Sequence, residues 1–294
     1  MTRSATAEQP WTLGRLLEWT ARFFAEKGAE FPRLDAEVLL AHAQGCRRIE
    51  LYTRYEEPAT DKVRATFREL VRRRVEGCPV AYLVGRKEFY SLEFEVGPAV
   101  LIPRPDTETL VMACLELAKP LPNPAVLDVG TGAGNIAVAV ATQHRGAQLT
   151  ATDISPDALA IARRNADRHG VAARVRFLEG DLLAPLRAGE VFDFILSNPP
   201  YIAREDLPRL EPGVRQYEPH LALDGGPGGY QVIDRLIDQA RTHLKPGGYL
   251  IVEIGAPQEE VVRRLVAARP GYELAPTIRD YAGHPRVVKA RWAG

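Results

Sequence analysis

The chain has 294 residues, of which 46% are hydrophobic and 26% are charged. This length corresponds to about two domains, and the composition is that of an ordinary globular protein able to bury a full core. The 38 basic and 38 acidic side chains cancel, whereas a general polyanion binder usually carries a basic excess. We therefore expect no direct binding to nucleic acid.

The cysteines and the apolar segments indicate the compartment. Cys46, Cys78 and Cys114 are widely spaced and form no CxxC pair, so we expect neither a disulfide framework nor a metal site. The opening segment MTRSATAEQPWTLG lacks the apolar core of a signal peptide, and no stretch approaches the roughly 20 apolar residues of a membrane span. These features predict a soluble cytoplasmic protein with no membrane partner.

Residues 1–84 carry three segments with the apolar spacing of amphipathic helices. Thr12 and Thr60 stand where N-caps belong, and Gly45 stands where the second helix should end. The pattern predicts a small helical bundle. Three consecutive arginines near the end of the third helix are expected to form a solvated face, with a docking patch as the alternative: Arg72, Arg73 and Arg74.

Residues 85–105 are predicted to form a β-hairpin that links this bundle to a second domain, residues 106–294. Alternating apolar residues from Phe89 to Val96 indicate the hairpin. A helix with its cap near Asp106 should follow.

Strands alternate with helices from residue 125 onward. Strands are predicted at 125–129, 147–152, 173–178, 191–197 and 248–254, with helices near 135–144, 156–169, 229–244 and 257–269. This alternation is typical of a doubly wound, mostly parallel α/β sheet. The last segment, YELAPTIRDYAGHPRVVKAR, indicates two further strands that form an antiparallel hairpin at a sheet edge.

A glycine-rich loop, LDVGTGAGN, lies between the first of these strands and the next helix. Its three glycines allow a tight turn and a close approach of backbone to ligand. Asn135 stands where a dinucleotide fingerprint requires Gly or Ala, and Asp128 would repel a pyrophosphate. The loop therefore favours a ligand with a cationic centre, and a tight turn without a ligand is the alternative.

Acidic residues end the next two strands. Asp153 is positioned to accept hydrogen bonds from ribose hydroxyls, although it could instead cap a helix, for which Ser155 is the better candidate. Asp181 could accept from an adenine amino group while Leu182 packs on the ring, or it could be an ordinary surface acid. An adenosine pocket with a cationic far end fits S-adenosyl-L-methionine. The predicted cofactor contacts are Asp128, Gly130, Thr131, Gly132, Ala133, Gly134, Asp153, Ile154, Asp181, Leu182 and Asn198.

The motif Asn198-Pro199-Pro200-Tyr201 ends the fourth strand, on the side where open sheets hold ligands. The Asn198 side chain and the Pro199 carbonyl both offer acceptor oxygens. Together they can receive both hydrogens of a planar amino group, with Tyr201 covering the plane. These four residues are the predicted catalytic and substrate-binding group, and a proline-rich strand end with a capping asparagine is the structural alternative.

From about residue 11 to 292 the chain resembles the release-factor glutamine methyltransferases (the PrmC/HemK family). The segments that carry the resemblance are RLDAEVLLAH, PVAYLVGRKEFYSLEFEV, LIPRPDTE, DVGTGAG, SNPPYI, YEPHLALDGG and DYAGHPRVV. IPRPDTE matches this family better than its ribosomal-protein relative, which usually has Ser after IPR. The resemblance implies a Rossmann-like class I methyltransferase fold.

The resemblance also implies a substrate, the glutamine of the Gly-Gly-Gln loop of bacterial class-1 release factors, methylated on its side-chain nitrogen with S-adenosyl-L-homocysteine as product. We expect the N-terminal bundle to dock the release factor, since an enzyme for a small molecule would not need it, and we expect a monomer. Arg104 and Glu108 are further candidates for substrate binding, or for a salt bridge with each other. Tyr217 and Glu218, in the long connection from residue 202 to 228, are candidates for the substrate entrance.

Four other functions are weighed against this one. An adenine-N6 nucleic-acid methyltransferase shares the motif logic, and a ribosomal-protein glutamine methyltransferase is a close relative. Asn135 and Asp128 disfavour a dinucleotide-dependent oxidoreductase, and the intact Asn-Pro-Pro-Tyr motif disfavours a non-catalytic adenosine-binding adaptor. Because no strong base is evident in the motif, we expect direct in-line methyl transfer driven by positioning and acceptor oxygens.

Overall fold

The computed structural model describes residues 10–280 and 282–294. Most of the opening segment discussed above for its lack of a signal sequence, and Tyr281 in the DYAGHPRVV segment, lie outside the described residues. The chain divides into two compact units, Met1–Gly85 and Arg86–Gly294. Within the described part, no helix is both long and apolar enough to cross a membrane.

The first unit is helical. Its described residues form α1 (Leu13–Glu26), α2 (Pro32–Gln44), α3 (Arg48–Thr53), α4 (Asp61–Val75) and α5 (Val80–Val84), so the three predicted helices are joined by two short ones. The Thr12 and Thr60 hydroxyls accept hydrogen bonds from the backbone amides of Arg15 and Val63, as N-caps do. Gly45 ends α2 in the left-handed conformation, with φ of 69°.

The arginine run near the end of α4 is not a uniform solvated face. Arg74 donates to the Asp35 carboxylate over 2.8 Å, and Asp35 is buried. Arg72 instead lies between Glu69 and Glu76 on the exposed side of the helix. The prediction is therefore wrong for Arg74, because helical periodicity turns it toward α2.

The second unit begins with the hairpin of β1 (Arg86–Phe89) and β2 (Leu92–Glu95). Tyr90 and Ser91 form its turn with φ of 53° and 58°, as a two-residue type I′ turn requires. A short 3-10 helix, Pro105–Thr107, then leads into α6 (Glu108–Ala118). The N-cap of α6 is Thr107, next to the predicted position, and its side chain makes no capping hydrogen bond. The Asp106 carboxylate pairs with Arg286 at 3.0 Å.

The remaining elements build one sheet with its helices. The strands are β3 (Ala125–Val129), β4 (Gln148–Asp153), β5 (Val175–Glu179), β6 (Phe192–Ser197), β7 (Leu244–Glu253), β8 (Tyr272–Leu274), β9 (Ile278–Arg279) and β10 (Pro285–Trp292). The helices are α7 (Asn135–Gln143), α8 (Pro156–Arg168), α9 (Pro212–Tyr217), α10 (Gln231–Ala240) and α11 (Glu259–Ala267).

The described strands follow the order β5-β4-β3-β6-β7-β10-β8, with β9 paired to β10. The first five strands of this order are parallel, and β10 is antiparallel to both β7 and β8. The predicted doubly wound sheet with antiparallel C-terminal strands is confirmed. Within the predicted pair, β10 adjoins β7 and buries Val287, Val288 and Ala290, and the shorter β8 takes the edge.

The central strand β3 shows how the sheet is covered on both faces. Val126 lies in one buried cluster with residues of α6 and α7. Its neighbours Leu127 and Val129 lie in the other, with residues of α10 and α11. Strand order reverses at β3, which has β4 on one side and β6 on the other. Such a switch point opens a crevice at the carboxyl ends of the strands.

Candidate active site

A cavity of about 340 Å³ lies at this switch point. It contains most of the predicted site residues, which come from the ends of β3, β4, β5 and β6 and from the segment before α6. The predicted residues that line it are Arg104, Gly130, Thr131, Gly132, Ala133, Asp153, Ile154, Asp181, Leu182, Asn198 and Pro200. Three predicted residues do not line it or the adjoining cavity described below: Asp128, Gly134 and Glu108.

The glycines of the loop after β3 have different tasks. Gly130 and Gly132 have φ of 71° and 54°, and a Cβ on either would meet no atom within 4 Å. Because these two residues have no side chain, the loop backbone stays accessible on its open side. Gly134 has φ of 80°, and a Cβ there would lie 3.1 Å from the Cβ of Ala162 in α8. Gly134 permits close packing between helices. This geometry does not support the prediction that Gly134 contacts the ligand.

Asp128 supports the loop from beneath. It is fully buried, and its Oδ2 accepts hydrogen bonds from the Thr131 hydroxyl at 2.6 Å and from the Ala137 amide at 3.2 Å. Burial raises the pKa of this carboxyl to about 7. The expectation that Asp128 contacts a ligand is therefore not met, because the pleat of β3 directs the side chain beneath the loop.

Asp153 connects the loop to the end of β4. Its Oδ2 accepts from the Gly132 amide at 2.8 Å, and its Oδ1 accepts from the Ser155 amide at 2.9 Å. Burial raises the pKa of the carboxyl. Ser155, rather than Asp153, caps α8, since its hydroxyl accepts from the Ala158 amide. The carboxylate is thus fixed by backbone from both sides while it lines the cavity.

Asp181 and Leu182 follow β5. Asp181 is half exposed and forms an ion pair with Arg235 of α10. Leu182 has φ of 50°, a conformation that costs a non-glycine residue on the order of 1–3 kcal/mol. Such strain is retained where the surrounding structure imposes it, often at binding sites, and here it directs an apolar side chain into the cavity lining.

Asn198 lies between two cavities. It lines the first cavity and also a second of about 490 Å³, which Pro199 and Tyr201 line as well. Its Nδ2 donates to the Thr107 hydroxyl oxygen at 3.1 Å, which leaves Oδ1 as the amide atom directed away from Thr107. The sequence interpretation missed Thr107, although it lies within the IPRPDTE segment and lines the first cavity.

Two further residues that the sequence interpretation missed hold Tyr201. Gln258 donates from Nε2 to the backbone oxygens of Tyr201 and Gly229 at 2.9 and 3.0 Å. Glu253, at the end of β7, is 1% exposed, and its Oε1 lies 3.5 Å from the Tyr201 hydroxyl. Burial raises the pKa of Glu253 to about 7 and that of Tyr201 to about 12. A carboxylate within the apolar run LIVEI is the sequence signal that could have indicated Glu253.

Arg104 and Glu108 do not pair with each other. Arg104 donates to Glu218 Oε1 at 2.5 Å, and Glu218 Oε2 accepts from the Ile102 amide at 3.2 Å. Glu218 is buried, so its predicted place at a substrate entrance is wrong. Glu108 accepts from the Tyr90 amide at 2.9 Å and thereby holds the hairpin turn.

Comparison with known proteins defines the class. Residues 15–85 match the sequence model described as the PrmC N-terminal domain, and residues 106–210 match the methyltransferase small domain. The human Mettl16 catalytic domain, solved in complex with a MAT2A 3′UTR hairpin, aligns with 75% of this chain and 80% of its own, with a TM-score of 0.50 at 16% identity. This likeness concerns the fold alone. The fold and the glycine-loop site are those of a class I methyltransferase.

Full-length relatives narrow the class to a family. A release factor glutamine methyltransferase of Rhodopirellula baltica is 47% identical over 97% of this chain and 98% of its own length. One of Geobacter sulfurreducens is 45% identical over 96% and 97%. The chain belongs to the release factor glutamine methyltransferase family.

Proposed function

We propose that this protein transfers a methyl group from S-adenosyl-L-methionine to the side-chain amide nitrogen of the glutamine in the Gly-Gly-Gln loop of class-1 peptide chain release factors. The observation that carries the proposal is the position of Asn198 between two cavities, with its Oδ1 directed away from Thr107. One cavity can hold the methyl donor and the other the glutamine. The names of the full-length relatives support the same substrate.

The residues of the first cavity fit the methyl donor. The bare backbone at Gly130 and Gly132 allows close approach, and the Asp153 carboxylate keeps lone pairs for ribose hydroxyls beyond those used by its two backbone donors. Leu182 offers an apolar surface for an adenine ring. Because Asp181 is paired with Arg235, we assign it a weaker part in adenine binding than Asp153 has in ribose binding.

The bound methyl donor supplies an electrophilic methyl group on a sulfonium centre. An amide nitrogen is a poor nucleophile, because its lone pair is delocalised into the carbonyl. Asn198 Oδ1 and the Pro199 carbonyl accept its two hydrogens, which fixes the nitrogen and stabilises the positive charge that develops on it. Pro200 stiffens the backbone that carries both acceptors, and Tyr201 covers the plane of the amide.

Successive parts of the chain are assigned different roles. We assign residues 1–84 to docking of the release factor and 106–294 to methyl transfer, and we count the hairpin of residues 85–105 with the methyl-transfer part, since Phe89 and Phe94 are buried in its core. Because basic and acidic residues balance, we assign no direct contact to nucleic acid. We further propose that the protein acts as a monomer in the cytoplasm.

The substrate class can be tested with labelled methyl donor. Full-length protein is incubated separately with a class-1 release factor, with ribosomal protein and with DNA. We expect label in the release factor alone, and none when the loop glutamine of that factor is replaced by alanine. Label in DNA or in ribosomal protein at a comparable rate would contradict the proposal.

A further inference from the structure

Resting on the proposed function, we propose that Thr107 and Glu253 are positioning residues that determine which atom of the Asn198 amide faces the reacting nitrogen. Thr107 holds the Asn198 amide directly, and Glu253 acts on it through the Thr107 hydroxyl. Neither residue needs to touch the substrate for this role.

The two ends of a side-chain amide form different hydrogen bonds. A side-chain amide has one acceptor oxygen and one donor nitrogen of nearly the same size. Only the oxygen suits a glutamine nitrogen whose own hydrogens point toward Asn198. Rotation of the amide by half a turn would present Nδ2 instead, donor against donor. The rate of transfer therefore depends on what holds the other end of the amide.

Thr107 holds that other end, with its oxygen 3.1 Å from Asn198 Nδ2. A hydroxyl has a single proton, which it can donate in only one direction. If Thr107 donated this proton to Asn198, it would favour the rotated amide with Oδ1 toward Thr107. The productive orientation requires that the Thr107 proton be directed elsewhere.

The Glu253 carboxylate is the acceptor toward which the Thr107 proton can point instead. A hydrogen bond from the Thr107 side chain lowers the pKa of the Glu253 carboxyl and so favours its ionised form. Glu253 Oε2 is buried and has no other hydrogen-bond partner among the described residues, so it remains available as an acceptor for the Thr107 proton. An ionised carboxylate accepts only, so it draws the Thr107 proton away from Asn198.

Protonation of Glu253 would reverse this arrangement. A neutral carboxyl can donate to the Thr107 oxygen, which frees the Thr107 proton for Asn198 Oδ1. The charged and titratable groups around Glu253 are Arg286 from β10, which lowers its pKa, Asp106 from the turn before α6, which raises it, and Tyr201. Asp280 partly neutralises Arg286 from the other side. Burial outweighs the stabilising contacts and leaves the pKa of Glu253 at about 7.

The ionisation of Glu253 determines how kcat depends on pH. Above a pH of about 7 Glu253 is ionised, and Asn198 presents Oδ1. As the pH falls through that value, the fraction of correctly oriented Asn198 declines, and kcat should decline with it. Methyl-donor affinity should change little, because the amide orientation concerns the acceptor nitrogen.

The test uses the full chain without ligands and needs no turnover. The side-chain amide signals of Asn198 are followed by NMR as the pH is varied. In the wild type they should titrate with a midpoint near 7, the pKa of Glu253. Glu253→Gln should abolish that titration. If the Asn198 signals titrate in the same way in wild type and in Glu253→Gln, the proposal is overturned.

A matched pair of variants tests Thr107 by kinetics. Thr107→Val keeps the shape and removes the hydroxyl, whereas Thr107→Ser keeps the hydroxyl. We expect Thr107→Val to lower kcat about 10- to 100-fold, as for other residues that orient a reacting group, with KM for release factor little changed. Thr107→Ser should recover most of this loss. Equal kcat in Thr107→Val and wild type, or equal loss in both variants, would contradict the role.

The two proposals fail separately. A wild-type protein that methylates no release factor would refute the proposed function, yet the NMR titration would still decide whether Glu253 and Thr107 orient Asn198. Thermal unfolding of each variant shows whether it is folded. Because Thr107→Val loses the hydroxyl and keeps the methyl, whereas Thr107→Ser loses the methyl and keeps the hydroxyl, a folding defect common to both would not imitate the expected contrast.

Discussion

The two sides of the candidate site are built in different ways. On the glycine-loop side, several contacts join near neighbours: Asp128 reaches Thr131 three positions away, and Asp153 reaches Ser155 two positions away, although Asp153 also reaches Gly132 over 21 positions. On the Asn198 side, the partners are far apart in sequence: Thr107 is 91 positions from Asn198, and Gln258 is 57 positions from Tyr201.

The two sides should therefore tolerate different changes. The loop side depends on backbone shape and on two carboxylates held largely by backbone amides, so its weak points are its glycines and acids. The Asn198 side depends on side chains from three separate segments that meet only in the folded chain. Changes distant in sequence from Asn198 should therefore alter the rate of transfer without altering the binding of the methyl donor.

The largest expected effect is on the Asn198 side. Asn198→Ala should lower the rate of single-turnover methylation roughly 10²-fold or more, as does loss of one preorganised polar partner of a reacting group. Cofactor affinity, measured by calorimetry, should remain within a few-fold of wild type. Full single-turnover activity in Asn198→Ala would refute the role of the side chain.

The second largest effect is expected on the glycine-loop side, where cofactor affinity should fall. Asp153→Ala should weaken cofactor binding by about 1.5–3 kcal/mol for each charge-assisted hydrogen bond lost. The backbone amides of Gly132 and Ser155 also lose their acceptor. Asp153→Asn is the matched control, because it keeps an acceptor oxygen and should bind with intermediate affinity. Calorimetry that gives all three proteins the same affinity would exclude Asp153 from the cofactor site.

The smallest effect separates loop shape from helix packing. Gly134→Ala places a Cβ in a left-handed residue, which costs about 1–2 kcal/mol, and also 3.1 Å from the Cβ of Ala162. Gly170→Ala has the same sign of φ, at 67°, with no atom within 4 Å of the new Cβ. Chemical denaturation should therefore show a greater loss of unfolding free energy for Gly134→Ala. Equal losses would mean that contact with α8 adds nothing.

Much of the fold could be predicted from the sequence, because its signals are local. The alternation of strands and helices after residue 125 gave the central sheet, and the Thr12 and Thr60 caps lie where helix spacing placed them. The place of β10 inside the sheet was not predictable from its own residues. The two C-terminal strands do pair with each other, but which of them also pairs with β7 depends on residues far away in the sequence.

The candidate site was predictable to a different extent on its two sides. The position of the loop and of Asp153 follows from spacing. Spacing alone does not tell on which side of the loop a neighbouring residue lies, so Asp128 at the end of β3 and Gly134 in the loop were assigned to the ligand. Thr107 and Glu253 became visible only when the fold brought them to Asn198. The same reason explains why Arg104 was not matched with Glu218, which lies 114 positions away.

The most direct test of the central claim is mass spectrometry of a class-1 release factor after treatment with this protein and S-adenosyl-L-methionine. The Gly-Gly-Gln peptide should gain the mass of one methyl substituent, located by fragmentation on the glutamine side chain, and Asn198→Ala should yield at most roughly a few per cent of it within the time that wild type needs for completion. An unmodified Gly-Gly-Gln peptide, or a methyl group located elsewhere in the release factor, would contradict the account.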